Sequence, residues 1–411
     1  MQVDLSSTFE ATRNGERARE IIRSCVHCGF CNATCPTYQL LGDELDGPRG
    51  RIYQIKALLE GEPPGINIQK HLDRCLTCRA CETLCPSGVQ YGELLDIGRG
   101  LVEQEVPRPL SQKVFRHLLR LFLPYPARLR PLFSLARLLG PFLPASLAKH
   151  LNPEPPHHAW PGSRHPRRML VLEGCVQEVV AAHINVATAR VFDRLGISLI
   201  RISEAGCCGA LNYHLGAHLE GLEFMRRNID AWWPEVEKGI EAIIVTASGC
   251  GVTVKEYGRL LADDPRYAAR AARISALARD PAEILAAEDL RRLRVETDLR
   301  VAFQSPCTLQ HGQGLSGVVE ALLQQLGFQL VPVTDAHLCC GSAGSYSILQ
   351  PQLARQLRAN KIAALEGGGA EIIASANIGC MLHLAQATQR PVRHWIELLD
   401  SQGSGAGRVK T

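Results

Sequence analysis

Cysteine is the residue type whose number and spacing promise chemistry, with sixteen in a chain of 411 residues. Eight form two near-copies of one run, Cys25-Val-His-Cys28-Gly-Phe-Cys31-Asn-Ala-Thr-Cys35-Pro36 and Cys75-Leu-Thr-Cys78-Arg-Ala-Cys81-Glu-Thr-Leu-Cys85-Pro86, set 50 residues apart. Three thiolates at intervals of three residues wrap a loop around one face of an iron–sulfur cluster. Zinc knuckles also use Cys-x2-Cys, but they join two such pairs at a longer separation. Here four cysteines fall within 11 residues, twice, and each run ends in Cys-Pro. A disulfide framework would need an oxidising compartment and, usually, a small secreted chain. The opening stretch MQVDLSSTFEATRNGERARE lacks a basic region followed by an apolar one. No apolar run approaches the ~20 residues that span a bilayer. The chain therefore reads as cytoplasmic-side, with neither signal peptide nor transmembrane helix, its cysteines reduced and metal-binding.

The other eight cysteines mark an internal repeat. Cys175, Cys207-Cys208 and Cys250 recur as Cys307, Cys339-Cys340 and Cys380, with offsets of 132, 132 and 130 residues, and Asn228 and Asn360 also stand 132 apart. Within each repeat, short β-rich runs (MLVLEG, SLIRI, AIIVTAS; RVAFQS, QLVPV, EIIASA) alternate with helical stretches, which argues βαβ units and a parallel sheet. The cysteines fall just beyond strand ends, where open α/β sheets place ligands. Around the first eight cysteines the signals are helical: ERAREIIRS, RIYQIKALLEG and YGELLDIGRGLVEQE each carry apolar residues near period 3.6, and Asp46-Gly47-Pro48 reads as a helix start.

The run C-x2-C-x2-C-x3-C-P resembles that of two-cluster bacterial ferredoxins, where the fourth cysteine ligates the other cluster. The resemblance implies one [4Fe-4S] cluster on Cys25, Cys28, Cys31 and Cys85, and another on Cys75, Cys78, Cys81 and Cys35. The repeated Cys-Cys-Gly resembles the CCG cysteine-rich domain of heterodisulfide reductase catalytic subunits, where the paired cysteines help hold an unusual iron–sulfur centre. That pattern ends in Cys-x-x-Cys, and here Thr253 and His383 stand at the last position. Cys175, Cys207, Cys208, Cys250, Cys307, Cys339, Cys340 and Cys380 remain, with His383 as a candidate nitrogen ligand. A further cluster, a thiol/disulfide role and reduced structural cysteines all stay open for this set.

The composition divides the chain into residues 1–105, a two-[4Fe-4S] ferredoxin-type domain; 106–168, a connector; 169–295 and 296–400, the two CCG repeats; and 401–411, a tail. The fold class is α+β multidomain: a helical ferredoxin-like domain, then two tandem α/β (Rossmann-like) repeats. The net charge of +4 hides the connector's 11 Lys/Arg against one acid, and the connector also holds 12 of the 24 prolines. Its Leu/Phe/Arg segments predict helices of two or three turns, lying on anionic lipid or an acidic partner, or else solvated. His157, His158 and His165 read as linker residues, Trp232-Trp233 as core or interface. His27 and Arg79, between cysteines, are placed to tune a cluster or to lie at the surface. No G-x-G-x-x-G follows a strand, so no flavin or dinucleotide site is legible, and no nucleic-acid motif accompanies the basic residues.

Taken together, CVHCGFCNATCPTYQLLGDELDGPRGRIYQIK, HLDRCLTCRACETLCPSGVQYGELLDIGR, EAGCCGA, TASGCG and HLCCGSAG look like the iron–sulfur subunits of bacterial glycolate oxidase. The resemblance implies an electron-transfer subunit of an oxidoreductase complex of the glycolate dehydrogenase type. It has no catalytic residue of its own, flavin-containing partner subunits that oxidise glycolate to glyoxylate, and the quinone pool as acceptor. It also implies a peripheral place on the cytoplasmic face of the inner membrane. Two alternatives are an iron–sulfur subunit of another flavin dehydrogenase, for glycerol-3-phosphate or lactate, and a heterodisulfide/thiol reductase acting at the CCG centre.

Overall fold

The computed structural model describes residues 1–138, 159–293, 295 and 297–400. Its first third is helical for local reasons. Thr12 caps the helix Arg13–Ser24 (α1) by accepting from the Gly15 N–H at 3.1 Å. Pro48 opens Pro48–Leu59 (α2), where its missing N–H has no helical partner to lose. Tyr91–Glu105 (α3) follows the second cysteine run. The apolar faces of these helices meet: Ile21, Ile22, Ile52, Ile55, Leu94 and Leu95 share one buried cluster that takes in Cys25, Cys75 and Cys81.

Two helices follow, Leu110–Phe122 (α4) and Pro126–Leu138 (α5). Here the structure corrects the expected length, because α5 runs for 13 residues through Pro131. Proline deprives the Ala127 carbonyl of its partner, but both residues are exposed, where solvent can take the lost bond. The connector's charge is also partly answered by the body. Arg108 pairs with Asp73 (2.6 Å) and Glu103 (2.6 Å), Arg116 with Asp73 (3.1 Å), and His165 with Asp193 (2.9 Å). His157, His158 and the tail at 401–411 lie outside the described residues.

Each repeat carries a four-stranded parallel sheet. The first joins Arg167–Val171 (β1), Ile197–Arg201 (β2), Ile243–Ile244 (β3) and Ala278–Arg279 (β4) in the order β2-β1-β3-β4. The second repeats it with Arg300–Gln304 (β5), Gln329–Leu330 (β6), Ile372–Ser375 (β7) and Val392–His394 (β8), in the order β6-β5-β7-β8. β4 and β8 are strands the hydrophobic pattern did not announce, because Ala-Arg and Val-Arg-His hold no run of apolar residues. In both sheets the chain leaves the first strand in one direction and returns on its other side, and the cysteine loops gather at this reversal, the usual ligand position. The two sheets share one core: Met169, Ile184, Phe192 and Leu285 pack in the same cluster as Val301, Phe303, Leu323 and Trp395.

His394 sits where the repeats meet. Wholly buried, it donates from Nε2 to the Thr246 carbonyl (3.0 Å) and accepts at Nδ1 from the Ile396 N–H (3.3 Å), so both nitrogens suit the neutral ring. Burial pulls its pKa down to about 4, with Glu397 partly opposing. The unfolded chain therefore takes a proton near pH ~6.5 that the folded chain refuses. Stability through this residue is complete above that pH and is lost as pH falls toward 4. Acidification from pH ~7 to ~5 should cost about 2 kcal/mol here, read as a lower urea midpoint. His394→Asn should flatten that dependence, and an unchanged slope in the variant would reject the assignment.

Candidate iron-sulfur sites

The two cysteine runs fold into matching loops. The residues flanking the second cysteine are left-handed in both: His27 (φ 60°) and Gly29 (φ 85°), then Thr77 (φ 55°) and Arg79 (φ 60°). Gly29 adopts this freely, whereas the three others are held there at about 1–2 kcal/mol each. Each run thereby coils against a cavity. One cavity is lined by Cys25, Cys28, Cys31 and Cys85, the other by Cys35, Cys75 and Cys78; Cys81 lines both, as do Pro48 and Tyr91. Cys85 has thus crossed to the first run and Cys35 to the second. Pro36, at the start of the helix Pro36–Leu41, turns the chain away immediately after Cys35.

The first cavity lies near the surface, with Cys28, Val26 and Phe30 exposed. The second lies deeper, with Cys35, Cys75 and Cys81 buried. Tyr91 Oη donates to Cys75 Sγ (3.6 Å), as does the Thr77 N–H (3.4 Å), and Cys35 Sγ lies 3.3 Å from Thr37 Oγ1. Arg51, fully buried in its wall, donates from Nε to the His71 carbonyl (2.8 Å) and from Nη2 to Thr37 Oγ1 (3.2 Å) and Asp46 (3.4 Å). Burial pushes Cys78 and Cys81 well above the ordinary thiol range and Cys31 up to about 11, with neighbouring sulfurs adding to each. Bound iron would replace those protons and relieve the penalty. No carboxylate lines either cavity, while Arg49, Arg51 and Arg79 do. Four thiolates around an iron–sulfur core carry net negative charge, so this donor set and these walls suit such a group.

Both CCG repeats also gather their thiols. Cys207 is hydrogen-bonded to Cys175 and Cys208, and Cys208 to Cys250. In the second repeat Cys307 Sγ lies 3.9 Å from Cys339 Sγ, and Cys340 is hydrogen-bonded to Cys339 and Cys380. Hydrogen bonds from Cys207 and Cys250 hold Cys208 well below the ordinary thiol value. Cys307, Cys339 and Cys340 all stand above it: the hydrogen bond to Cys339 raises Cys307, those to Cys340 and Cys380 raise Cys339 and Cys340 against opposing bonds from Cys307 and Cys339, and burial raises all three. The glycine of each motif is required twice over. Gly209 (φ 89°) and Gly341 (φ 87°) are left-handed, and a Cβ would meet the Gly221 carbonyl at 2.5 Å or the Ala354 carbonyl at 2.8 Å. Their N–H groups donate to the first sulfur of each pair, at 3.5 Å and 3.4 Å. His383, on the helix Ile378–Ala385 with Cys380, directs Nε2 to the Ala354 carbonyl (3.2 Å), and Thr253 donates to Gly249 (3.3 Å).

The helical domain docks on both repeats beside these cysteines. Cys78 and Leu76 pack with Cys307 and Cys339. Arg79 pairs with Glu256 (2.5 Å), and His214, six residues beyond Cys208, pairs with the buried Asp96 (3.1 Å). Arg51, Tyr91 and the Asp96–His214 pair escaped the sequence reading. Each looks like an ordinary member of an amphipathic helix or loop, and only the neighbours reveal its place.

The 4Fe-4S dicluster domain family matches residues 21–89, and the cysteine-rich domain family matches twice, at 169–255 and 301–385. Over 407 residues the chain is 54% identical to the glycolate oxidase iron–sulfur subunit of Escherichia coli (strain K12), covering 97% of this chain and 98% of that protein. It is 32% identical to the probable glycolate oxidase iron–sulfur subunit of Bacillus subtilis (strain 168), over 89% of each. The lactate utilization protein A of Geobacillus kaustophilus (strain HTA426) is 27% identical over 56% of this chain and 96% of its own length.

Proposed function

The chain belongs to the family of glycolate oxidase iron–sulfur subunits, and from that premise we propose that it relays electrons from a flavin-bearing partner that oxidises glycolate to glyoxylate toward a membrane quinone. The observation that carries this reading is the crossed meeting of the two runs in adjoining cavities, with Cys78 packed against the cysteines of the second repeat. In it Cys25, Cys28, Cys31 and Cys85 hold one [4Fe-4S] cluster, and Cys75, Cys78, Cys81 and Cys35 the other. Such a cluster, when bound, takes up and passes on one electron at a time.

The chain's residues set distance and potential. Cys81, in the wall between the cavities, keeps the two sites adjacent, and Cys78 brings the deeper site against Cys307 and Cys339. Those thiols, with Cys340 and Cys380, form the next candidate redox site, and the Cys175, Cys207, Cys208 and Cys250 set is its counterpart. No residue here is assigned to glycolate. Among the described residues no helix is long and apolar enough to cross a membrane, and a peripheral place on the cytoplasmic face of the inner membrane is part of the same proposal.

The test is the complex purified anaerobically. Glycolate should elicit reduced-cluster EPR signals within turnover, whereas lactate and glycerol-3-phosphate should not. Reduction by lactate instead would transfer the assignment to a lactate dehydrogenase, and zinc in place of iron would overturn the cofactor reading as well.

A further inference from the structure

Helix α4 presents an apolar stripe to solvent. Leu110, Val114 and Leu118 recur every four residues and are 77%, 49% and 43% exposed, and Phe115 beside them is also exposed. The helix has no buried residue at all. On α5 the pattern continues with Leu132, Leu135 and Leu138, all exposed. At 3.6 residues per turn, Arg116 and Arg120 lie on the opposite side of α4 from Val114. They fasten that side to the body through Asp73 (3.1 Å) and Glu220 (3.2 Å), while Arg130 ties α5 to Glu178. The helices are therefore held with their apolar stripes outward, flanked on α4 by the exposed Lys113 and His117.

We propose that α4 and α5 form a docking face for an anionic phospholipid surface, with the leucines sunk among the upper acyl chains and Lys113 at headgroup level. Charge selects this occupant. Neither α4 nor α5 contains a single acid, and while Arg116, Arg120 and Arg130 are answered by acids of the body, Lys113, His117 and Arg128 stand exposed on the two helices. One-sided aliphatic helices with basic flanks partition into anionic interfaces, whereas the buried centre of a protein interface favours aromatic residues and is depleted of charge. The inference deepens the peripheral placement proposed above and rests on it for biological meaning, but not on the identity of substrate or acceptor.

The test is flotation of the full-length chain, purified anaerobically, with quinone-free vesicles of phosphatidylcholine containing about one third phosphatidylglycerol, beside pure phosphatidylcholine. Binding to the anionic vesicles is expected, weakened by salt, and reduced about tenfold or more by Val114→Ser with Leu118→Ser. Iron content and circular dichroism should stay unchanged. Leu132→Ser with Leu135→Ser supplies a second variant should the first fold poorly, and Lys113→Glu should weaken binding several-fold at low salt. Absence of binding, equal binding to neutral vesicles, or undiminished flotation of both double variants would overturn the proposal. So would loss of co-purifying partner subunits from a variant that still floats, which would make the face a protein interface. Because the vesicles hold no quinone and no substrate is added, flotation can succeed where glycolate-driven reduction fails, and the two readings fall separately.

Discussion

Alanine in place of both Cys35 and Cys78 should remove one cluster and leave the other intact, with about four of eight irons lost and one EPR signal surviving. The two residues come from different runs but line one cavity. The contrasting pair, Cys28→Ala with Cys35→Ala, takes both residues from one run. It strikes both cavities and should abolish nearly all the iron. Ligation confined within each run predicts the reverse, with the first pair destroying both clusters and the second only one. Iron per chain and the spin-quantified EPR spectrum of the two double variants decide the matter without any activity measurement. If both variants lose everything, the cavities assemble only together, and the assignment of separate ligand sets fails.

Arg51→Met should weaken the helical domain and lower the potential of the deeper site. Burial alone would pull the Arg51 pKa down, but Cys75, Tyr91, Cys35 and Asp46 hold it above its ordinary value, so the guanidinium is a fixed positive charge. Removing it leaves Asp46, itself wholly buried, with Arg74 at 2.7 Å as its remaining arginine. Breaking one partner from a buried charge network costs about 3 kcal/mol or somewhat more. A positive charge close to thiolate-held iron also favours the reduced state. At an effective dielectric near ~20 its loss should lower the midpoint potential on the order of 100 mV. Arg51→Lys separates the two effects, because it keeps the charge but not the forked hydrogen bonds to His71, Thr37 and Asp46. The lysine variant should unfold at lower denaturant yet titrate near the wild-type potential. Equal potentials in all three proteins would show Arg51 to be purely structural.

Much of the site was legible before any fold was known, because short-range spacing carries it. The cysteine runs, the glycine after each cysteine pair and the offset of 132 residues between repeats stand in the chain itself. The helices around the runs were also read closely, since apolar periodicity and Pro48 mark them locally. Weak signals failed where elements were very short or where solvent satisfied a broken rule. β4 and β8 hold no run of apolar residues, and Pro131 passes through an exposed helix whose Ala127 carbonyl is open to solvent.

By itself the sequence determined which thiols exist, how each loop can coil and that two α/β units follow one another, because these depend on residue type and near neighbours. Only the tertiary structure decided which loops share a cavity, that Arg51 lies buried beside one of them, and that Cys78 meets Cys307 and Cys339 across more than two hundred residues of chain. It also decided that His383 serves a backbone carbonyl and that the apolar stripes of α4 and α5 face outward. The physical reason is the range of the forces. Loop conformation follows from steric limits within a few residues, whereas burial and charge act through space among groups that the chain order does not bring together.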